Sequence, residues 1–191
     1  LPANLAVAVS DRAEYGVYPT GNGEHLIVAC DLAAKVLPLG GVEPSEPAEV
    51  MTGEELRDRL TDIGYTHPFA KDLRYRPVVT ADYVTLEDGT GLVHTAPGHG
   101  VEDYQTGIRE RLDIYCPVQG DGTFDTTVAG WLKGKSIWDA NGEICDWLAE
   151  QGHLFHREQF LHSYPHDWRG KQPVIFRATE QWFVSVDKPM E

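Results

Sequence analysis

Residues 89–104 form the stretch that most restricts how this chain can fold. They read Gly-Thr-Gly-Leu-Val-His-Thr-Ala-Pro-Gly-His-Gly-Val-Glu-Asp-Tyr. The apolar run around Leu92 indicates a short buried strand, which cannot continue through Pro97 because proline has no backbone N–H. Asp103 and its acidic neighbour are typical of the first turn of a helix, where the helix dipole favours negative charge. The pattern therefore predicts a strand, a glycine-rich loop and a helix that begins near Val101.

The composition predicts one globular domain. The chain has 191 residues, of which 41% are hydrophobic and 24% charged, which is ordinary for a water-soluble fold. No apolar run approaches the ~18 residues of a membrane span, and no secretory signal is visible. Cys30, Cys116 and Cys145 are widely spaced, which is typical of reduced thiols in a cytoplasmic protein.

The net charge of −14 disfavours a module that grips nucleic acid by its phosphates, because such modules are usually basic. A domain that receives only the end of an RNA held elsewhere has no such requirement.

The remaining patterns predict an α+β, β-rich fold, with a β-barrel-like core and about three peripheral helices. Strands are predicted at residues 5–9, 15–18, 25–30, 77–86, 114–118 and 154–162, with 173–186 extended. Helices are predicted at residues 31–37, with Asp31 as cap, and at 52–64, 101–112 and 136–151.

Taken alone, the histidines and carboxylates do not decide a function. His94 is typical of a core histidine and Asp103 of a helix start. A metal site in the loop is not favoured, because the spacing differs from His-Glu-x-x-His and no cysteine joins it. His162, His166 and Asp167 could bind a metal, but the proline between the histidines argues against an aligning helix.

Residues 89–104 resemble the signature of the editing domain of isoleucyl-tRNA synthetases, the connective insertion in these class I enzymes. A second stretch agrees: His162-Ser-Tyr-Pro-His-Asp-Trp-Arg, followed by residues 176–186. The opening Leu1-Pro-Ala-Asn-Leu resembles the family just after its threonine-rich peptide, which is expected before Leu1 and is not in this sequence. The resemblance implies one editing domain over residues 1–191, with 160–191 returning toward the catalytic domain.

The resemblance implies hydrolysis of valyl-tRNA(Ile) by a positioned water, with help from the threonine-rich peptide. The aspartate at the Asp103 position anchors the α-amino group of the mischarged amino acid. The histidine at the His94 position lines the side-chain pocket. The other substrate-binding positions are Thr95, Ala96, Pro97, Gly98, His99 and Gly100.

The implied partners are the tRNA(Ile) 3′ end and the catalytic domain of the synthetase. No cofactor is expected in the editing domain and no zinc in this segment, whereas the whole enzyme uses ATP and magnesium. Lys71, Arg74 and Arg76 are more typical of a solvated surface than of a patch that touches the tRNA. A binding module without catalysis, and a valyl or leucyl editing domain, stay open as alternatives. An insertion must leave and rejoin its host at nearby points, so Leu1 and residues 173–186 are expected on one side.

Overall fold

The computed structural model describes residues 1–68, 70, 75–159, 161 and 163–186. Within them, six strands lie at Ala6–Val9 (β1), Glu14–Pro19 (β2), His25–Ala29 (β3), Glu49–Thr52 (β4), Val78–Thr80 (β5) and Leu92–Thr95 (β6). Four α-helices lie at Cys30–Val36 (α1), Gly53–Leu60 (α2), Val101–Arg109 (α3) and Ile137–Glu150 (α4). The predicted α+β, β-rich class is confirmed, and no helix in this described part is long and apolar enough to cross a membrane.

The strands form two sheets of three. In the first sheet β1 lies in the centre, parallel to β5 and antiparallel to β6, so that Val7 is opposite both Val78 and His94. In the second sheet β2 lies between β3 and β4, antiparallel to both. Strands β2 and β3 form an antiparallel hairpin around the turn at residues 20–23, which agrees with the strands predicted on either side of it.

Tyr15 joins the two sheets inside the main core. Its side chain is completely buried, and its hydroxyl accepts a hydrogen bond from the Ser10 amide at 2.8 Å and donates one to the Gly91 carbonyl at 2.7 Å. Gly91 has a φ of +78°, and a Cβ there would lie 2.5 Å from that of Ala29. The second glycine of the Gly-Thr-Gly run is therefore required by close packing of β6 against β2 and β3.

Helix α4 organises a separate hydrophobic core. Ala140, Ile144 and Leu148 follow one another at intervals of four residues, and all three are buried with Phe124 and Leu132. The Ser136 hydroxyl accepts from the Trp138 amide at 3.3 Å and caps the helix. This helix was predicted from its apolar spacing, and its existence and bounds are confirmed.

Helix α2 begins at a capping box, as its sequence predicts. The Thr52 hydroxyl accepts from the Glu55 amide at 3.2 Å, while the Glu55 carboxylate accepts from the Thr52 amide at 2.7 Å. The predicted Asp31 cap of α1 is wrong: Ala29 occupies the cap position without a side-chain bond, and Asp31 lies in the first turn.

Three of the predicted strands differ from the structure: one is shorter than predicted, one is a single bridge, and one is not a strand in its described part. Only Val78–Thr80 of residues 77–86 is a strand, because the chain turns at Ala81, whose carbonyl accepts from the Val84 amide. Residues 114–118 form a single bridge, Val118 to Phe124, while Tyr115 packs its carbonyl against Gly98. The described part of residues 154–162 contains no strand.

Candidate functional site

The loop between β6 and α3 is held by close backbone packing. A Cβ on Gly98 would lie 2.2 Å from the Tyr115 carbonyl oxygen, so only glycine fits there without a shift. A Cβ on Gly107 in α3 would lie 2.7 Å from the Cβ of Pro97. The two glycines let the loop lie directly between residue 115 and helix α3, which fixes its position.

Asp103 connects the start of α3 back to the loop. Its Oδ2 accepts a hydrogen bond from the Ala96 amide at 2.8 Å, across seven residues. The preceding Gly100 is the helix cap, extended at φ −155° and ψ 150°, and makes no side-chain bond. Asp103 therefore satisfies a loop N–H and places its negative charge at the positive end of the helix dipole.

A cleft of about 420 Å³ opens beside this loop. Its walls come from several separate parts of the chain, and most of the side chains are apolar. The residues that line it are Leu1, Pro2, Ala3, His94, Ala96, His99, Val118, Phe124, Ile137, Asn141, Ile144, Cys145, Tyr164, Ile175 and Phe176. Leu1 and Phe176 thus lie at one cleft, as expected for residues 1 and 173–186.

His94 is the next-to-last residue of strand β6 and forms one wall of the cleft. The side chain is accessible to solvent from the cleft. Because the cleft is concave, many protein atoms nevertheless lie around the ring and partly desolvate it. Desolvation by this burial lowers the pKa of His94, and the negative charge of Asp103 opposes the shift only in part. The lowered pKa favours the neutral form of the ring at physiological pH.

His99 is held at both its backbone and its ring. Its amide donates to the Ala96 carbonyl at 2.8 Å, and its Nδ1 lies 2.9 Å from the Phe176 carbonyl oxygen. Its Nε2 is buried, and within the described residues no hydrogen-bond partner reaches that atom. Desolvation lowers the pKa of His99; the bond to Phe176 and the charge of Asp103 act in the opposite direction, and nearby Arg177 lowers the pKa further.

The segment around residues 176–178 binds back onto the loop. The Ala178 amide donates to the Gly98 carbonyl at 2.8 Å, beside the contact of His99 with Phe176. Arg177 donates through Nε to the Val118 carbonyl. This late segment of the chain therefore closes the side of the cleft that faces the loop.

Some of the residues predicted from the sequence line the cleft, and the others hold the backbone of the loop in place. His94, Ala96 and His99 line the cleft, and the Asp103 charge acts on both histidines. Thr95 is completely buried and its hydroxyl lies 3.0 Å from that of Tyr83. Pro97, Gly98 and Gly100 shape the backbone of the loop: the first two are buried and the third caps α3.

Sequence reasoning missed the opposite wall of the cleft. Phe124, Ile144 and Phe176 are far from the loop in sequence, and the helical spacing of Ile144 predicts only that it is buried. The one available signal was the expected proximity of residue 1 and residues 173–186, which indicates that late residues lie near the start of the chain.

The other candidate clusters do not form a metal site in the described part of the chain. No group of three or more His, Cys, Asp or Glu side chains there could hold an ion. His162 lies outside the described residues. His166 contacts the Tyr164 carbonyl through Nδ1 at 2.8 Å, and Asp167 accepts from the Gly170 amide in a turn.

The predicted basic cluster changes in the structure. Lys71 and Arg74 lie outside the described residues. Arg76 is only 5% exposed, with Nε 3.4 Å from the Asn4 carbonyl oxygen. It is therefore part of the interior, and the interpretation of Arg76 as a solvated surface charge is wrong.

Comparison with known proteins adds a relationship that covers almost the whole chain. An isoleucine–tRNA ligase of Synechococcus sp. (strain CC9311) is 46% identical over 191 residues, which is 98% of this chain and 19% of that protein. That of Fervidobacterium nodosum is 47% identical over 188 residues, 98% of this chain and 20% of that protein. The chain is homologous to one segment of isoleucine–tRNA ligases. The predicted relationship to isoleucyl-tRNA synthetases is confirmed, and the chain spans about one fifth of the length of these relatives.

A solved structure supports the fold of this isoleucine–tRNA ligase segment. The crystal structure of GlLeuRS-CP1 matches it with a TM-score of 0.57 and 15% sequence identity, covering 82% of this chain and 78% of that one. At this identity the likeness shows a shared fold alone. No protein-family model matches the chain.

Proposed function

We propose that this chain is the editing domain of an isoleucyl-tRNA synthetase and hydrolyses the ester that joins valine to tRNA(Ile). The observation that carries the proposal is the homology to a segment of isoleucine–tRNA ligases, in a chain whose fold resembles GlLeuRS-CP1. The partly apolar cleft beside Asp103 supports it, because such a cleft suits a small aliphatic amino acid.

A second site is useful because isoleucine and valine differ by one methylene. This pair is the standard example of a difference worth only about 1–3 kcal/mol in a binding pocket. A site that admits valine and excludes isoleucine can use steric misfit, which close packing penalises strongly. His94 supplies such a wall, and its lowered pKa keeps it an uncharged neighbour for an aliphatic side chain.

Asp103 is assigned to the α-ammonium group of the substrate. Its Oδ2 already accepts from the Ala96 amide, and a carboxylate has room to accept further hydrogen bonds. A bond between carboxylate and ammonium is charge-assisted and therefore strong in a partly desolvated site. Asp103 would thus both shape the loop and hold the reacting molecule in place.

Water is the proposed nucleophile. Its oxygen bonds to the ester carbonyl carbon, the bond from that carbon to the ribose oxygen breaks, and the ribose oxygen takes up a proton. Valine and tRNA with a restored terminal hydroxyl are the products. Cys145 also lines the cleft, but neither ring nitrogen of His99 is bonded to it, which favours water over a cysteine–histidine pair. Catalysis would rest on orientation and electrostatic stabilisation.

The proposed partners are the tRNA(Ile) end that carries valine and the catalytic domain of the same synthetase, and the proposed compartment is the cytoplasm. The net charge of −14 is compatible with receiving only the end of the RNA. No cofactor or zinc enters the proposed reaction, whereas ATP and magnesium belong to the aminoacylation carried out by the whole enzyme.

The deciding experiment uses an isoleucine–tRNA ligase that carries this chain as its corresponding segment. Valyl-tRNA(Ile) and isoleucyl-tRNA(Ile) are incubated separately with it, and both amino acid release and complex formation are followed. Release of valine with retention of isoleucine is expected. Binding of valyl-tRNA(Ile) without release of valine would instead indicate a binding module.

Two further substrates separate this proposal from the related editing types. Threonyl-tRNA(Val) is the natural error of a valyl enzyme, since valine and threonine have nearly the same shape. A mischarged tRNA(Leu) tests the leucyl type in the same way. Faster hydrolysis of either substrate than of valyl-tRNA(Ile) would reassign the domain.

A further inference from the structure

The contact between His99 and Phe176 fixes the tautomer of the imidazole ring. A carbonyl oxygen can only accept a hydrogen bond, so Nδ1, which lies 2.9 Å from the Phe176 oxygen, must carry the proton. In the neutral ring the other nitrogen, Nε2, is then an unprotonated acceptor. The backbone of residue 176 therefore determines what Nε2 can bind.

The surroundings of Nε2 indicate that it needs a donor. The atom is buried, and within the described part of the chain no protein group donates to it. A buried acceptor without a partner is costly and uncommon in folded proteins. His99 lines the cleft but its Nε2 has almost no accessible surface, so a molecule bound there supplies the missing hydrogen bond once the lining side chains shift to uncover the atom.

We propose that His99 is a positioning residue whose Nε2 accepts a hydrogen bond from an O–H group at the reacting end of the substrate. This inference rests on the proposed function, because hydrolysis of an aminoacyl ester offers two such groups. One is the ribose hydroxyl next to the ester, and the other is the attacking water. Either bond would orient an oxygen at the scissile ester, which is the orientation that a reaction with a positioned water requires.

The charges around the ring support a neutral His99. Asp103 favours the protonated form, whereas burial and Arg177 disfavour it, and burial is the largest of these effects. The titratable side chains that face the ring or share its cleft are Asp103, Arg177, His94, Cys145 and Tyr164. Protonation would convert Nε2 from an acceptor into a donor, so acid should remove the proposed hydrogen bond.

Two substitutions separate the two nitrogens of the ring. H99N keeps an amide N–H near the position of Nδ1, where it can still donate to Phe176, but has no atom at the position of Nε2. H99Q places an amide oxygen near the position of Nε2. In the ligase carrying this segment, H99N should reduce valyl-tRNA(Ile) deacylation roughly tenfold, with H99Q retaining most of the rate. H25N, on the exposed end of β3, is the matched histidine control.

The pH dependence tests the acceptor role more directly. The ratio of the wild-type rate to the H99N rate should fall toward one as acid protonates His99. A substrate whose terminal ribose lacks the hydroxyl next to the esterified oxygen identifies the source of the O–H group. If the ribose hydroxyl is the donor, the H99N deficit disappears with this substrate, and if water is the donor, the deficit persists.

Three results would overturn the inference. An unchanged rate in H99N is the first. Equal losses in H99N and H99Q with a ratio independent of pH are the second, because they indicate a purely structural ring. Failure of the unsubstituted enzyme to release valine is the third, and it alone also overturns the proposed function.

Discussion

Asp103 has a structural contact and a proposed substrate contact, and the two can be separated by substitution. The Ala96 amide needs only an acceptor oxygen at the position of Asp103 Oδ2. Asparagine supplies one, whereas alanine does not. The charge that would hold the substrate ammonium is absent from both.

We expect D103N to fold normally and to lose tenfold or more of its valyl-tRNA(Ile) deacylation, because the ammonium loses a charge-assisted bond of about 1.5–3 kcal/mol. D103A should in addition lower the free energy of unfolding by about 1–3 kcal/mol, since the Ala96 amide loses its acceptor. Thermal unfolding and deacylation are measured on the same preparations.

E102Q is the matched control for Asp103, because it removes the same charge from the same exposed first turn of α3. Its deacylation rate should stay close to that of the wild type. Full activity in D103N would contradict the anchoring role and leave Asp103 as a helix-start residue alone.

His94 allows a second test at the level of single side chains. H94A should widen the cleft at one wall and permit hydrolysis of isoleucyl-tRNA(Ile), with valyl-tRNA(Ile) still accepted. The measurement is the ratio of the two deacylation rates, which should shift toward isoleucine by roughly tenfold, the scale of one methylene.

V93A is the control for H94A, since neighbouring residues of a strand point to opposite faces and Val93 does not line the cleft. It should leave the ratio unchanged. Continued rejection of isoleucine by H94A would assign size selection to another wall, for example the one formed by α4.

At the scale of elements, α3 is fixed to the loop by a helical glycine. Gly107 has no steric room for a side chain because Pro97 lies against it, whereas Gly142 in α4 has nothing within 4 Å of the position that a Cβ would occupy. Both are glycines inside helices, so replacement by alanine brings the same gain in helix propensity, about 1 kcal/mol. The difference between the two variants therefore isolates packing against the loop.

G142A should raise the free energy of unfolding by about 0.5–1 kcal/mol, and G107A should lower it by about 1–3 kcal/mol through overpacking. Urea unfolding measures the free energy of unfolding of each variant. The comparison is valid if the free energy falls with urea concentration at the same slope in both variants. A stabilised G107A would mean that the contact with Pro97 relaxes at little cost.

The elements that could be predicted are those whose signals are local. Pro97 and the acidic pair after it predict the end of β6 and the start of α3, and Thr52 with Glu55 predicts the start of α2. The region of residues 114–118 was predicted as a strand from composition, but the packing of the Tyr115 carbonyl against Gly98 is set by tertiary contacts.

The candidate site was predictable on one side only. The resemblance of residues 89–104 to a known signature pointed to the loop and to Asp103. No local pattern connects Phe124 or Ile144 to that loop, because their positions depend on how α4 packs. Burial could be predicted for such residues from helical spacing, but not the cleft they line.

At the scale of the whole molecule, the two histidines at the cleft couple stability to pH. Burial lowers the pKa of both His94 and His99 in the fold below the ordinary value of about 6.5. Between the lowered and the ordinary pKa the unfolded chain binds more protons than the folded chain. Stability is therefore complete above the ordinary value and is lost as pH falls through this window.

We expect the midpoint of thermal unfolding to fall between pH 7 and pH 5, and the fall to be smaller in H94N/H99N. Each group contributes at most about 1.4 kcal/mol per pH unit inside its window. Hydrogen bonds lower the carboxyl pKa of Glu55 and Asp121. These two residues therefore affect stability at more acid pH, in both proteins alike, and provide an internal reference for the histidine effect. Equal slopes in both proteins above pH 5 would contradict this origin.

The walls of the cleft have a consequence for the order of events during synthesis. Among the residues that line the cleft, Leu1 is translated before the loop, and Phe176, whose carbonyl orients His99, is translated after all the others. Because chains emerge from the ribosome starting at the N-terminus, the two sheets can form before the cleft has all of its walls. A nascent chain that stops short of residue 176 would therefore contain the predicted loop and Asp103 but lack the group that sets the tautomer of His99.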